Sequence, residues 1–335
     1  MSGRNVNISK IAELAGVGKA TVSRVLNNKP NVSPKTAKRV REICDTLNYT
    51  PNFFASNIMN VQTNIIGLFF EAGNDHYYKY YGDLLEGCIT EAYRFGMQVL
   101  PYFSPGINLL HEILTPGKSP LAGALILAPS VQENRLVQLD KYKIPYIIIG
   151  ALYGETKEYS SVDVNNRKLV QDSLNYLYER GHRKIAFINS MPQLTISQER
   201  DKSVCLFEKA NAEVKIFKRY CSDREGVVGD AICSLMEETP EITAFLVASD
   251  IIAKDVYEYF SKMGKKIGKD ISVLALGGTK YVQTLSPKLT CAVQDYIELG
   301  KAAVQMLRQR LCGTCAEEHK FFESFIVDGK SVANI

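Results

Sequence analysis

The chain has 335 residues, 46% of them apolar and 23% charged, which suits two or three globular domains and excludes a disordered or fibrous protein. No apolar run approaches the roughly 18 residues of a membrane span, and the polar start MSGRNVNISK lacks the apolar segment of a secretory signal. The expectation is a cytoplasmic protein.

Charge is unevenly distributed. Residues 1–60 carry nine Lys or Arg against Glu13, Glu42 and Asp45, a net +6, while the remaining 31 basic and 33 acidic residues net −2. A compact positive module on a slightly acidic body points to a polyanion partner. The eight cysteines follow no regular framework and mostly sit in apolar runs, as free thiols do in a reducing compartment. Cys312 and Cys315 alone have ligand-like spacing. With no second pair or nearby histidine, they support neither a metal site nor a cofactor, and none is expected.

The first element predicted is a helix over 8–15, with Asn7 as N-cap and Ile11, Leu14 and Ala15 on its apolar face. Gly16, Val17 and Gly18 make a turn. A second helix follows over 19–27 with Val22, Val25 and Leu26 inward, and a third opens on Ser33 as N-cap and Pro34, with Val40, Ile43 and Leu47 inward. Two helices across a tight glycine turn form a helix-turn-helix, whose second helix enters the DNA major groove. Its outward face would present Lys19, Ala20, Ser23, Arg24 and Asn27, residues short enough or polar enough to reach base edges.

The stretch AELAGVGKATVSRVLNNKPNVSPKTAKRV, followed by LNYTPN, closely resembles the DNA-binding head of the LacI/GalR family of bacterial transcriptional regulators. The resemblance implies that Lys19, Ala20 and Arg24 read bases and that Thr21, Ser23 and Asn27 hold the phosphate backbone. It also implies that residues 49–62 form a linker with a hinge helix, in which Ala55 matches the hinge pattern and Ile58 is the apolar wedge for the minor groove. Gly18 stands where the family has Ser or Thr, and Lys10 where it commonly has Asp, which removes a capping-box carboxylate.

From Asn64 the pattern becomes strand and helix in alternation. Apolar runs at 65–70, 123–128, 146–149, 184–188, 244–248 and 271–276 read as buried parallel strands. Amphipathic helices over 84–95, 169–180, 251–263 and 297–311 lie between them. The fold class is therefore α/β: a small all-α head on a body of doubly wound parallel sheets. This body resembles the family's two-lobed, periplasmic-binding-protein-like effector domain, most clearly in LYERGHRKIAFI, FLVASDIIAKDV and GKDISVLAL. The resemblance implies a head at 1–48 and an effector and dimerisation domain at 63–335, with lobe one at about 63–159 plus 293–322 and lobe two at about 160–292 plus 323–335. A small effector would lie between the lobes, a sugar or sugar derivative, with Asn74, Asp75, Arg200, Ser249, Asp250, Tyr281 and Gln294 as candidate contacts. Leu276-Gly277-Gly278 replaces an aromatic and acidic segment of the family, Ser249 replaces a frequent Asn, and there is no Trp. Stacking on a sugar would fall to Tyr281 or Tyr77, and Lys280 leaves an anionic ligand open.

No GxxxxGK[ST] or strand-following GxGxxG occurs, and His76, His111, His182 and His319 are isolated, so no enzyme is expected. The expectation is a homodimeric regulator, a repressor, on a pseudo-palindromic operator. A regulator controlled by a partner protein or a non-sugar anion, and an exported-type sugar receptor, are the alternatives. With no heptad repeat after the last strand, a dimer rather than a tetramer is expected.

Overall fold

A computed structural model describes residues 8–26, 30, 32–47, 64–70, 82–103, 113–114, 121–154, 158–222, 226–278, 284–314 and 318–335. The chain divides into two compact units, Met1–Thr63 and Asn64–Ile335.

The first unit holds α1 (Ile8–Ala15), α2 (Lys19–Leu26) and α3 (Pro34–Thr46). Gly16 turns the chain at φ +64°, a left-handed conformation that favours glycine. Ser33 caps α3 by accepting the Thr36 N–H at 3.2 Å, with Pro34 at the first helical position. Ile11, Ala12, Ala15, Val22, Val25, Val40 and Cys44 form the core. Leu14, expected inward, is 44% exposed. At 100° per residue it lies about 105° from the middle of the face made by Ile11, Ala12 and Ala15, which places it at the rim.

The second unit contains two six-stranded sheets. The first uses β1 (Ile65–Phe69), β2 (Gln98–Tyr102), β3 (Leu121–Leu127), β4 (Tyr146–Ile149), β5 (Ser161–Val164) and β11 (His319–Phe322), in the order β11-β5-β4-β3-β1-β2. The second uses β6 (Lys184–Asn189), β7 (Lys215–Tyr220), β8 (Ala244–Val247), β9 (Ser272–Ala275), β10 (Thr290–Val293) and β12 (Phe325–Val327), in the order β12-β10-β9-β8-β6-β7. Among the described strands, only β12 runs antiparallel to its neighbour. Each sheet has the 2-1-3-4-5 winding of doubly wound folds, which carry ligands beyond the carboxyl ends of their strands.

The described helices of this unit include α4 (Gly82–Arg94), α5 (Arg135–Lys141), α6 (Asn166–Glu179), α7 (Thr195–Ala210), α8 (Gly229–Glu238), α9 (Asp250–Lys262) and α10 (Tyr296–Leu311). Every strand and helix expected in the body is present within a few residues of its expected ends. The edge strands β2 and β7 escaped sequence reading because they are half-exposed and carry Pro101, or Lys215, Lys218 and Arg219, within them. The lobe boundary expected at 159/160 falls later. Strand β5 pairs with β4 and β11 in the first sheet and buries Val162 and Val164 in its core. The chain thus crosses between sheets after Val164, after Val293 and after Phe322.

Two close approaches fix the architecture. Helices α4 and α10 meet at Gly87 and Gly300, where an added Cβ would strike the carbonyls of Ile297 and Leu84 respectively. The last segment is tied back by His182, fully buried, whose Nδ1 lies 2.8 Å from Thr243 Oγ1 and Nε2 3.2 Å from the Ala333 carbonyl.

Candidate functional site

The outward face of α2 follows from its inward one. Val22 and Val25 are buried, so Lys19, Ala20 and Arg24 are exposed and Thr21 and Ser23 half-buried on the other side. The helix carries two cations and no carboxylate. Asn27, Ala55 and Ile58 lie outside the described residues.

Within the body a cleft lies between the two sheets. Its walls come from the carboxyl ends of β3, β4 and β5 on one side and β6 and β8 on the other, the crevice this topology creates. Leu127, Ile149, Val164, Ala248 and Leu299 supply apolar surface, and Asp163, Asn166, Thr195, Glu199, Arg200 and Gln294 supply the polar groups. Beside the cleft the lobes touch through backbone. The Val131 N–H donates to the Gln193 carbonyl at 2.8 Å, and the Thr195 N–H donates to the Pro129 carbonyl at 3.1 Å. Ala128, just before this bridge, holds φ +45°, a strained value for a residue with a Cβ.

Three buried polar atoms in the cleft have no protein partner: Arg200 Nε, Asn166 Oδ1 and Thr195 Oγ1, on residues 4%, 7% and 1% exposed. Leaving such a group unpaired costs about 1–3 kcal/mol each, so three of them in one cleft give it unused hydrogen-bonding capacity. Burial pushes the Asp163 carboxyl up to about 7, against the lowering pull of the Val164 N–H, the Arg200 charge and Asn166. The Val164 N–H reaches Asp163 Oδ1 at 2.7 Å and Asn166 Nδ2 reaches it at 3.3 Å. Behind the site, Asn189 Nδ2 donates to the Ser197 carbonyl at 3.0 Å and to Asp201 Oδ1 at 3.2 Å, holding the start of α7 against the end of β6.

Of the expected effector contacts, Arg200 and Gln294 line the cleft. Gln294 Nε2 donates to the Leu276 carbonyl at 3.4 Å. Ser249 and Asp250 are each 1% exposed and are not among the cleft-lining residues. The Ser249 hydroxyl instead caps α9 by accepting the Ile252 N–H at 3.2 Å, and Asp250 stands in the first turn of that helix, where its charge suits the dipole. Asn74, Asp75 and Tyr281, with Tyr77 and Lys280, lie outside the described residues. Sequence reading missed Asp163, Asn166, Thr195 and Tyr296. A signal existed for the first two in SVDVNN, an acidic strand end running into an Asn-capped helix, but it needed β5 to be recognised as a strand.

A helix-turn-helix head on a two-lobed binding body defines a class: DNA-binding regulators whose second module holds a small ligand. Residues 7–52 match the bacterial regulatory proteins of the lacI family, and residues 174–332 match the periplasmic binding protein-like domain. Catabolite control protein A of Priestia megaterium is 27% identical over 313 residues, covering 90% of this chain and 92% of that protein. The HTH-type transcriptional repressor PurR of Vibrio atlanticus is 26% identical over 321 residues, 91% of each. In fold, the lac repressor dimer bound to operator and the anti-inducer ONPF superimposes with a TM-score of 0.85 at 22% identity, over 98% of this chain and 100% of that one. The transcriptional regulator CelR in complex with cellobiose superimposes with a TM-score of 0.73 at 22% identity, with the same coverage. Over nearly its whole length the chain is thus similar to bacterial transcriptional regulators, with a lacI-family head and a periplasmic binding protein-like body.

Proposed function

We propose that the protein is a homodimeric cytoplasmic repressor that binds a pseudo-palindromic operator and releases or tightens on it when a neutral polyhydroxylated ligand, a sugar or sugar derivative, occupies the cleft. In this reading residues 1–48 are the DNA-binding head, 49–62 the hinge and 63–335 the effector and dimerisation domain. Lys19, Ala20 and Arg24 read bases, Thr21, Ser23 and Asn27 hold phosphates, and Ala55 and Ile58 serve the hinge. No helix among the described residues is long and apolar enough to cross a membrane.

The observation that carries the ligand reading is the convergence of unpartnered Arg200 Nε, Asn166 Oδ1 and Thr195 Oγ1 in one cleft. These are one donor, one acceptor and one hydroxyl, and they match a ligand whose own groups both donate and accept. Arg200 is the only cation among the described lining residues and interacts with the Asp163 carboxyl, while the other lining carboxylate, Glu199, pairs with Lys202 at 2.7 Å, a balance that favours a neutral ligand over an anion. Cellobiose in the CelR complex is such a molecule. The reading assigns no catalysis: no histidine lines the described cleft beside Ser190 or Thr195.

Selection of bound duplexes from a random pool with full-length protein tests the DNA half. A two-fold symmetric consensus is expected, and no enriched site with or without added metabolites would overturn it. For the ligand half, neutral sugars and their phosphate esters are titrated calorimetrically against the protein and an Arg200→Ala variant. A neutral sugar that binds and loses at least tenfold in the variant is expected, and tighter binding of the ester would reverse the ligand class.

A further inference from the structure

A second concave feature lies on the body, at the end of the second sheet opposite the cleft. The C-terminal end of α9 and the segments that lead into β9 and β10 border an open groove. Lys262, Lys265, Lys266 and Lys330 line it, with the hydroxyl residues Ser261 and Ser286. One carboxylate, Glu258, also borders it, and that group is paired with Lys254 at 3.4 Å. Asp270 and Asp328 lie nearby but spend an oxygen each on backbone: Asp270 Oδ2 accepts the Lys266 N–H at 2.8 Å and Asp328 Oδ1 accepts the Lys330 N–H at 2.9 Å. Among the described residues, none of the four lysines has a carboxylate within ion-pair distance.

Helix-dipole compensation accounts for Lys262, in the last turn of α9. It does not account for Lys265, Lys266 and Lys330, which stand outside the helix. Lys330 is held in place at a cost, since its φ of +73° lies in the left-handed region that side chains avoid. Its neighbours leave it no alternative. The carbonyl of Lys330 fills the space where Gly268, itself at φ +74°, would carry a Cβ. Next to it, the buried Ser331 Oγ accepts the Thr290 N–H at 2.7 Å and donates to the Val273 carbonyl at 2.5 Å. The backbone that carries Lys330 is therefore anchored to β9 and β10, which fixes where its side chain starts at the rim of the groove. Four ammonium groups that converge without counterions repel one another, and a bound polyanion would turn that repulsion into attraction.

We propose that this groove is a second ligand site, separate from the cleft, for a small anion carrying two or more phosphoryl groups. The cations are all lysines. An ammonium is a compact point charge without the planar fork that arginine offers a carboxylate, and it suits the rounded, multiply charged face of a polyphosphate. The hydroxyls of Ser261 and Ser286 add donors for the remaining oxygens.

The test titrates inorganic tripolyphosphate, pyrophosphate and sulfate against the full chain at constant ionic strength. Two variants separate the groove from the basic head: Lys265→Gln with Lys266→Gln, both exposed positions, and Lys19→Gln with Arg24→Gln in the head. The expected result is one saturable tripolyphosphate site per chain that weakens at least tenfold in the groove variant and less than twofold in the head variant. Pyrophosphate should bind more weakly and sulfate not measurably. Loss of binding in the head variant alone, equal affinity in all three proteins, or no saturable binding would each overturn the proposal. So would an oligoglutamate peptide that outcompetes tripolyphosphate, because the groove would then select carboxylates.

Discussion

At the scale of single residues, buried ionisable groups decide both stability and specificity. Burial lowers the His182 imidazole to about 4, with the charges of Arg180 and Arg183 acting in the same direction and the Ala333 carbonyl opposing them. The folded state therefore prefers the neutral ring. Its contribution is complete above the unfolded value near 6.5 and is lost as pH falls toward 4, on the order of 2–3 kcal/mol across that window. Urea denaturation of the wild type at pH 7.5 and pH 5 should show this fall, and a His182→Gln variant should show a flatter profile. Asp163 works in the opposite sense. Its raised value means that the protein loses stability as pH climbs from about 4 to 7, and Asp163→Asn should be the more stable protein at pH 8 in a thermal melt. In the head, Arg24 is exposed on the face opposite Val22 and Val25. Replacing it with Ala should cost about 1–3 kcal/mol on the preferred operator and relax preference at one base position. An equal loss on random DNA, in a competition binding assay, would assign Arg24 to the phosphates instead.

At the scale of elements, the contact between α4 and α10 is the most demanding in the body. Glu91 is buried within it and accepts from Gln305 Nε2 at 2.8 Å, while Gly87 and Gly300 let the helices approach to backbone contact. Gly87→Ala or Gly300→Ala gains a little helix propensity, under about 1 kcal/mol. It forces the helices apart against a carbonyl, which costs about 1–3 kcal/mol or more. Net destabilisation is expected in both, read as a lower urea midpoint with an unchanged slope. Helix boundaries in the head were legible to within a residue because caps and turns are local: Ser33, Pro34 and Gly16 act on neighbours in sequence. Leu14 was misplaced because a helix face is defined by what packs on it, and α1 buries Ala12 rather than Leu14.

At the scale of the whole molecule, charge asymmetry and lobe topology govern behaviour. A protein that docks a basic head on DNA releases counterions, so the logarithm of operator affinity should fall linearly with the logarithm of salt. With six to ten phosphates neutralised, the slope should be about −5 to −9. A filter-binding series from low to near-physiological salt measures it, and a slope near zero would exclude the electrostatic docking that the +6 head implies. The bridge of Val131 and Thr195 to the facing lobe holds one side of the cleft closed. A ligand can shift the operator equilibrium only by its preference for that closure over the open state.

The sequence alone determined the features that depend on short-range pattern. These are the helix-turn-helix, its outward residues, the division into a basic head and an α/β body, and most central strands, whose continuous apolar runs announce burial on both faces. It also marked Arg200 and Gln294 through resemblance. Only the tertiary structure decided which sheet takes β5, since a four-residue strand with a polar Ser161 and Asp163 carries little signal until β4 and β11 flank it. The same holds for the partners of the cleft. Asp163, Asn166, Thr195 and Arg200 are up to 37 positions apart in sequence, and their pairing and their unmet hydrogen bonds exist only once two sheets face each other. Periodicity reports how each element is buried. Which groups are left unpaired between elements is a property of the assembled space, because an unsatisfied atom is defined by what surrounds it.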